Sequence, residues 1–250
     1  MHGNGQDQSF LVGDDEAKWL SSPEDSEAIM SCIPAILQHR TPLRVLDAFA
    51  SVGGSTIYFM RKLPKGSVVH AVQVAVTLHE KARFRRLNNN IAECAKYTDS
   101  LPLQNVETFA MDIKDYVSTE APKFRPDLLF ADPPWKLNGE KGEISSADDL
   151  VSFMREHVFY DPAFRPKYII FKMPGGKYWE SDTDELIRKM LNAAGHRKYA
   201  LVSEVAVRTI CAYGYVLEDD DGHSQQSTQS EICCSKCGRM VFVPSVSING

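Results

Sequence analysis

Nothing in the sequence reads as an anchor or an address. Neither end carries a basic segment leading into an apolar run, and no stretch approaches the roughly 18–20 apolar residues of a membrane span. The expectation is a soluble, intracellular protein of the nucleus or cytoplasm. Cysteine is sparse and badly spaced for a disulfide framework: Cys32, Cys94 and Cys211 stand apart, while Cys233, Cys234 and Cys237 crowd together. A reducing compartment fits that pattern. Positive charge is not in surplus either, and a formal net charge of −5 excludes a protein that coats nucleic acid through many phosphate contacts. No internal repeat is present, and no glycine loop ends in the Gly-Lys-Ser/Thr of a phosphate loop.

What is present is enough apolar material, 43% of 250 residues, for one buried core. The composition divides the chain into a polar, flexible start (1–16), one domain (17–217) and a polar linker with a cysteine-containing tail (218–250). Ser22-Pro23-Glu24-Asp25 opens a helix to about Gln38: a capping hydroxyl, proline at the first helical position, then acids at the positive helix end. Apolar runs at Leu43–Phe49, Ser67–Val76, Val106–Met111, Asp127–Ala131 and Tyr168–Met173 read as strands of a parallel sheet, each separated from the next by helical or loop material. A basic helix is predicted over about 77–96 and a last one over Asp182–Ala194. Tyr199–Val207 and Thr209–Leu217 then follow with no room for a helix between them, so they form an antiparallel pair. The fold class is therefore α/β, a doubly wound, Rossmann-like sheet, mostly parallel with an antiparallel C-terminal pair.

Three strand ends carry chemistry. The first run closes on Asp47-Ala48-Phe49-Ala50-Ser51-Val52-Gly53-Gly54-Ser55-Thr56, a strand turning through glycine into a helix, where backbone amides face a ligand and an acid can hold a cation or a hydroxyl. The fourth closes on Asp132-Pro133-Pro134-Trp135. Methylating an aromatic amine requires acceptors that draw the nitrogen lone pair out of conjugation, and the Asp132 carboxylate and Pro133 carbonyl suit this. Paired prolines hold those acceptors rigidly, and Trp135 offers a face for a base. The third closes on Met111-Asp112-Ile113, where Asp112 either accepts from an adenine amine or caps a helix. At the same edge, the fifth strand ends Phe171-Lys172-Met173-Pro174, with Lys172 either meeting a phosphate or serving as an ordinary strand-end lysine. Two weaker signals remain. Basic residues outnumber acids between Arg61 and Arg86, which suits a partner surface or a solvated helix face; His79 and His157 read as surface residues of helices. Cys234-Ser235-Lys236-Cys237-Gly238 is half of a zinc knuckle without its second half, so no metal is expected.

In these residues the chain resembles the trimethylguanosine synthase family of class I methyltransferases, which methylate the guanine N2 amine of 7-methylguanosine RNA caps. The likeness spans about 14–180 and includes Lys18-Trp19-Leu20-Ser21-Ser22-Pro23-Glu24, similar to the segment with which that family closes over its cofactor. The resemblance implies S-adenosylmethionine as cofactor and capped RNA as partner. It implies that Asp47, Phe49, Gly53 and Gly54 contact the methionine part of the cofactor and Asp112 and Ile113 its adenine, with Pro23 in the closing segment. It implies that Asp132 and Pro133 orient the amine while Trp135 stacks on the cationic base, with Lys172 and Pro174 on the substrate side. The chain departs from the family in three places: Gln73 stands where an acid takes the ribose hydroxyls, Ala50-Ser51 replaces Cys-Gly, and Lys136-Leu137-Asn138-Gly139 replaces the glycines after the tryptophan. Two alternatives stay open, an adenine N6 methyltransferase and a cap- or RNA-binding module of the same fold. Oligomeric state is not legible.

Overall fold

The computed structural model describes residues 23–32, 42–96, 105–135, 144, 147–174, 183–195, 199–206, 210–217, 228–233 and 240–245. In chain order these form α1 (Pro23–Ser31), β1 (Arg44–Asp47), α2 (Gly54–Lys62), β2 (Val68–Val72), α3 (Leu78–Lys96), β3 (Asn105–Phe109), α4 (Ile113–Thr119) and α5 (Ala121–Phe124). Then come β4 (Leu128–Ala131), α6 (Ala147–His157), β5 (Tyr168–Pro174), α7 (Thr183–Ala193), β6 (Tyr199–Ala206), β7 (Ile210–Leu217), β8 (Thr228–Cys233) and β9 (Met240–Ser245).

The main sheet has seven strands in the order β3-β2-β1-β4-β5-β7-β6. Strands β1 to β5 pair in parallel, and β7 lies antiparallel to both β5 and β6. The expected antiparallel end pair is there, with the last strand of the sheet tucked inside β6. The chain builds outward from β1 to β3, then crosses to the far side of β1 to lay down β4. That reversal opens a crevice at the carboxyl ends of β1 and β4, where ligands bind in open α/β sheets.

The apolar runs are continuous because both faces of the sheet are covered. Successive strand residues point to opposite faces. Val45, Leu128, Phe130 and Ile170 accordingly join Ile29, Met30 and Phe59 from α1 and α2 on one side. Leu46, Leu129, Ala131, Ile169 and Phe171 join residues of α4, α6 and α7 on the other. Helix α1 packs against β7 so closely that a Cβ at Gly214 would stand 3.0 Å from the Cys32 carbonyl oxygen. At the amino edge, Arg44 donates to both Asp127 carboxylate oxygens (3.3 and 3.1 Å) and to the Phe124 carbonyl, while its own amide also donates to Asp127. The starts of β1 and β4 are latched together by this fork.

Several expectations are corrected in extent. Strands β1 to β4 are shorter than the apolar runs, most of all at their carboxyl ends in β1 and β2, where the runs turn into the loops of the site, while β5 extends one residue further, to Pro174. Helix α1 ends at Ser31, and residues 33–41 lie outside the described residues. The last residues of the stretch read as a linker belong to β8, which pairs antiparallel with β9 in a separate two-stranded sheet. Cys234 and Cys237 lie outside the described residues, and among the described ones no three His, Cys, Asp or Glu side chains are grouped to hold a metal. No helix among the described residues is long and apolar enough to cross a membrane.

Candidate functional site

The alternation that builds the core also builds the site. Asp47 follows Val45 by two residues, Asp132 follows Phe130 by two, and Lys172 follows Ile170 by two. All three continue the face covered by α1 and α2, at the carboxyl ends of three adjacent strands. Three ionisable groups are thus gathered where an apolar pattern would have placed hydrocarbon.

Asp47 is completely buried. Its Oδ2 accepts a 2.6 Å hydrogen bond from Thr56, a turn into α2, and its Oδ1 has no hydrogen-bond partner. Burial pushes the Asp47 carboxyl up to about 7, against the opposing effect of the Thr56 hydroxyl; the nearby charge of Asp132 raises it further, while the Phe49 amide and the Lys172 ammonium draw it down. An orphaned carboxylate oxygen in a ligand crevice is a site for a cation, since desolvation without a partner is costly.

The turn after Asp47 is tight. The Ala50 amide donates to Val72, and the Gly53 amide donates back to Ala50 at 2.8 Å. Gly53 caps α2 at φ +98°, where a Cβ would meet Leu87 Cδ1 at 2.8 Å, so only glycine fits. Ser51 also lies in the left-handed region, at φ +52°. It occupies the place of the glycine in the family the chain resembles, and it holds that strain because its neighbours are fixed. One of them is Asn90 of α3, buried, whose Nδ2 donates to the Val52 carbonyl at 2.8 Å. Gly54 is the first residue of α2.

Asp132 is held from two sides. Lys172 Nζ donates to its Oδ2 at 2.7 Å, and the Trp135 indole N–H donates to its Oδ1 at 3.1 Å. Both findings alter the sequence reading. Lys172 is only 7% exposed and is spent on Asp132, so it does not stand ready for a phosphate. Trp135 is 9% exposed and packs in the core cluster with Ile144, Met154 and Phe171, so its ring is not an open stacking face. Removing one partner of such a pair leaves the other uncompensated, at a cost of about 3–5 kcal/mol. Pro133 is buried beside them.

Away from this cluster, Gln73 is buried just beyond β2, its Nε2 donating to the Val74 carbonyl, which leaves Oε1 as the side chain's acceptor. Asp112 caps α4, accepting from the Lys114 amide at 2.8 Å, and Ile113 is buried in the core. Helix α6 brings two residues here, Phe153, absent from the sequence reading, and His157, read there as a surface residue. Phe153 lies 5.8 Å from Phe49 between ring centroids and stacks on His157 at 4.5 Å. His157 Nδ1, 3.6 Å from Asp112 Oδ1 and without a hydrogen-bond partner, faces the site edge rather than solvent. His79, by contrast, is an exposed helix residue that contacts Arg83, as expected. Pro23 opens α1 and Pro174 closes β5, but their side chains, like the Lys18–Ser22 segment, lie outside the described residues.

Glycine turn, acids at the ends of β1 and β3, and Asp-Pro-Pro-Trp after β4, all on one edge of a sheet of this order, define the class I methyltransferase architecture, Rossmann-like and doubly wound. Among solved structures the chain is similar to TrmN from Thermus thermophilus, with 15% identity and a TM-score of 0.50 over 78% of this chain and 48% of that one. It spans about half the length of TrmN. Magnesium protoporphyrin IX methyltransferase (ChlM) from Synechocystis PCC 6803, solved with bound SAM, aligns over 71% of each chain at 12% identity and a TM-score of 0.43. No protein-family model and no curated protein matches the sequence.

Proposed function

We propose that this chain is an S-adenosylmethionine-dependent methyltransferase acting on an exocyclic nucleobase amine, and that its target is the N2 of a 7-methylguanosine RNA cap. The observation that carries the reading is the Asp132 carboxylate, fixed from two sides at the carboxyl end of β4, beside the Gly53 turn and the orphaned Oδ1 of Asp47.

The residues fit the cofactor. Asp47 supplies an acceptor for an ammonium, the Ser51–Gly53 turn admits close backbone approach, Gln73 Oε1 suits a ribose hydroxyl, and Asp112 with Ile113, Phe49 and Phe153 suits an adenine. When bound, S-adenosylmethionine supplies an electrophilic methyl group on a sulfonium. The protein's part is to orient. Each carboxylate oxygen of Asp132 has a second lone pair beyond the bond it already accepts, so the side chain can take an amine hydrogen while Lys172 and Trp135 hold it still. The Pro133 carbonyl takes the other hydrogen, the nitrogen lone pair turns out of the ring plane, and the methylated ammonium gives its proton to water. No strong base is needed, and positioning supplies the rate.

The capped guanine is supported by the order of the motifs, glycine turn before Asp-Pro-Pro-Trp, and by the Lys18–Glu24 segment ahead of both. An RNA body is supported by α3, where four basic residues, Lys81, Arg83, Arg85 and Arg86, follow the acid Glu80 on a helix that begins at the same sheet edge. The second reading is an adenine amine, which the packing of Trp135 favours, because a buried indole gives a cationic base no platform. Methyl transfer to 7-methylguanosine cap analogues, compared with transfer to adenine-containing oligonucleotides, separates the two. Labelling of adenine alone would overturn the cap reading, and no cofactor binding at millimolar concentration would overturn both.

A further inference from the structure

We propose that Lys172 is a positioning residue for Asp132: from the buried end of β5 it holds the carboxylate that receives the target amine, and it makes no contact with RNA. The role given to Asp132 rests on the methyltransferase reading above; the contact itself does not.

Lysine is an unexpected residue for this place. Ile170 and Phe171 before it and Met173 after it are almost wholly buried, and a buried ammonium loses strong hydration unless it meets an acid. It meets Asp132 at 2.7 Å because β4 and β5 pair in register, Ala131 opposite Phe171, so the next residue of each chain falls side by side. The Trp135 indole reaches the other carboxylate oxygen from the opposite flank. Two donors on two different elements leave the carboxylate no free rotation, whereas one donor would leave it a hinge. A phosphate contact would require Lys172 to leave Asp132 bare in a buried place, next to a second acid, Asp47.

Lys172 also acts on that second acid. The groups facing Asp47 are the Thr56 hydroxyl from α2, the Phe49 amide, Asp132 beyond β4 and Lys172 on β5, and the lysine charge opposes the effect of Asp132. Removing the lysine therefore moves the Asp47 titration to higher pH, an effect that a purely steric filler could not produce.

The test uses the full chain with Lys172→Met and Lys172→Arg. At saturating S-adenosylmethionine and capped RNA, the single-turnover rate of Lys172→Met is expected to fall about 10–100-fold, the range found when supporting contacts around a reactive group are removed, with KM for RNA within about twofold. Lys172→Arg, which keeps the charge, is expected to recover most of the rate. The slope of log Kd for RNA against log salt stays at the wild-type value, whereas loss of a phosphate contact would lower it by about one. The Asp47 titration, read from the pH dependence of stability without any cofactor, moves up in Lys172→Met and stays in place in Lys172→Arg. Should Lys172→Met not fold, Lys172→Gln, which keeps a donor and loses the charge, is read in its place. Normal turnover in a folded Lys172→Met, a salt slope lowered by about one, or an unmoved Asp47 titration each overturns the proposal. Failure of the wild type to bind S-adenosylmethionine overturns the methyltransferase reading instead, and the titration still decides the role of Lys172.

Discussion

Asp47→Asn should cost some stability in acid and stabilise the protein at alkaline pH. Below about pH 3 the Asp47 carboxyl is protonated in both folded and unfolded chains, so it contributes no pH dependence. As pH rises, the unfolded chain releases this proton at the ordinary value near 3.8, while the folded protein keeps it up to about 7. Over that window the folded state binds more protons, so stability falls as pH rises, and above about pH 7 the loss is complete. Moving the carboxyl from 3.8 to about 7 corresponds to a loss of about 4 kcal/mol. Asparagine removes the charge and can still accept from Thr56, but its amide puts a donor where Oδ1 had no partner, at a cost of about 1–3 kcal/mol. The expected gain at pH 8.5, relative to the same comparison at pH 4, remains about 4 kcal/mol, since the asparagine cost is common to both. Urea unfolding of wild type and variant at several pH values measures this difference, in which other titrating groups cancel. A difference that does not change between pH 4 and 8.5 would refute the reasoning. Cofactor affinity gives the converse: in the wild type it strengthens as pH rises through 7, and in Asp47→Asn it is weak and independent of pH.

Three further perturbations test the frame around the site. Gly53→Ala, which demands a left-handed residue and pushes into Leu87, is expected to lose about 1–3 kcal/mol of stability in urea, and a smaller loss from the same change made in a Leu87→Ala background isolates the steric part. Asn90→Leu strands the Val52 carbonyl and is expected to cost about 1–3 kcal/mol and to weaken cofactor binding measured by calorimetry, because the turn loses its brace. Lys81→Glu with Arg85→Glu, both on the exposed side of α3, is expected to lower the salt slope of RNA binding by about two while leaving methylation of a short cap analogue unchanged.

The succession of strands along the chain and the acids at their ends were legible in the sequence because both follow from short-range rules. A buried parallel strand is a run of Val, Leu and Ile, and a glycine or a pair of prolines marks where it stops. The same rules found Asp47, Asp112 and Asp132. They could not find the partners of those acids, because partners are set by register between distant segments. Thr56 and Asn90 look like ordinary helix residues until α2 and α3 are packed, and nothing in their spacing signals the contacts they make. His157 reads from the sequence as a surface helix residue, and only the packing of α6 brings it 3.6 Å from Asp112. For Lys172, left open between a phosphate contact and an ordinary strand-end lysine, and for Trp135, only the distances to Asp132 show the partner that each meets.

The fork between Arg44 and Asp127 sits on the exposed amino edge of the sheet, yet it bears on events at the opposite edge. Strands β1 and β4 are each four residues long, so about 10 Å of backbone runs from Arg44 to Asp47 and about 16 Å from Asp127 to Asp132. A slip of one residue between them would turn Asp132 to the other face of the sheet, away from Asp47 and Lys172. Burial of both faces of β4 resists such a slip, and the fork adds to it at the start of the strand. The fork therefore marks, at one edge of the sheet, the same register that sets Asp47 beside Asp132 at the other.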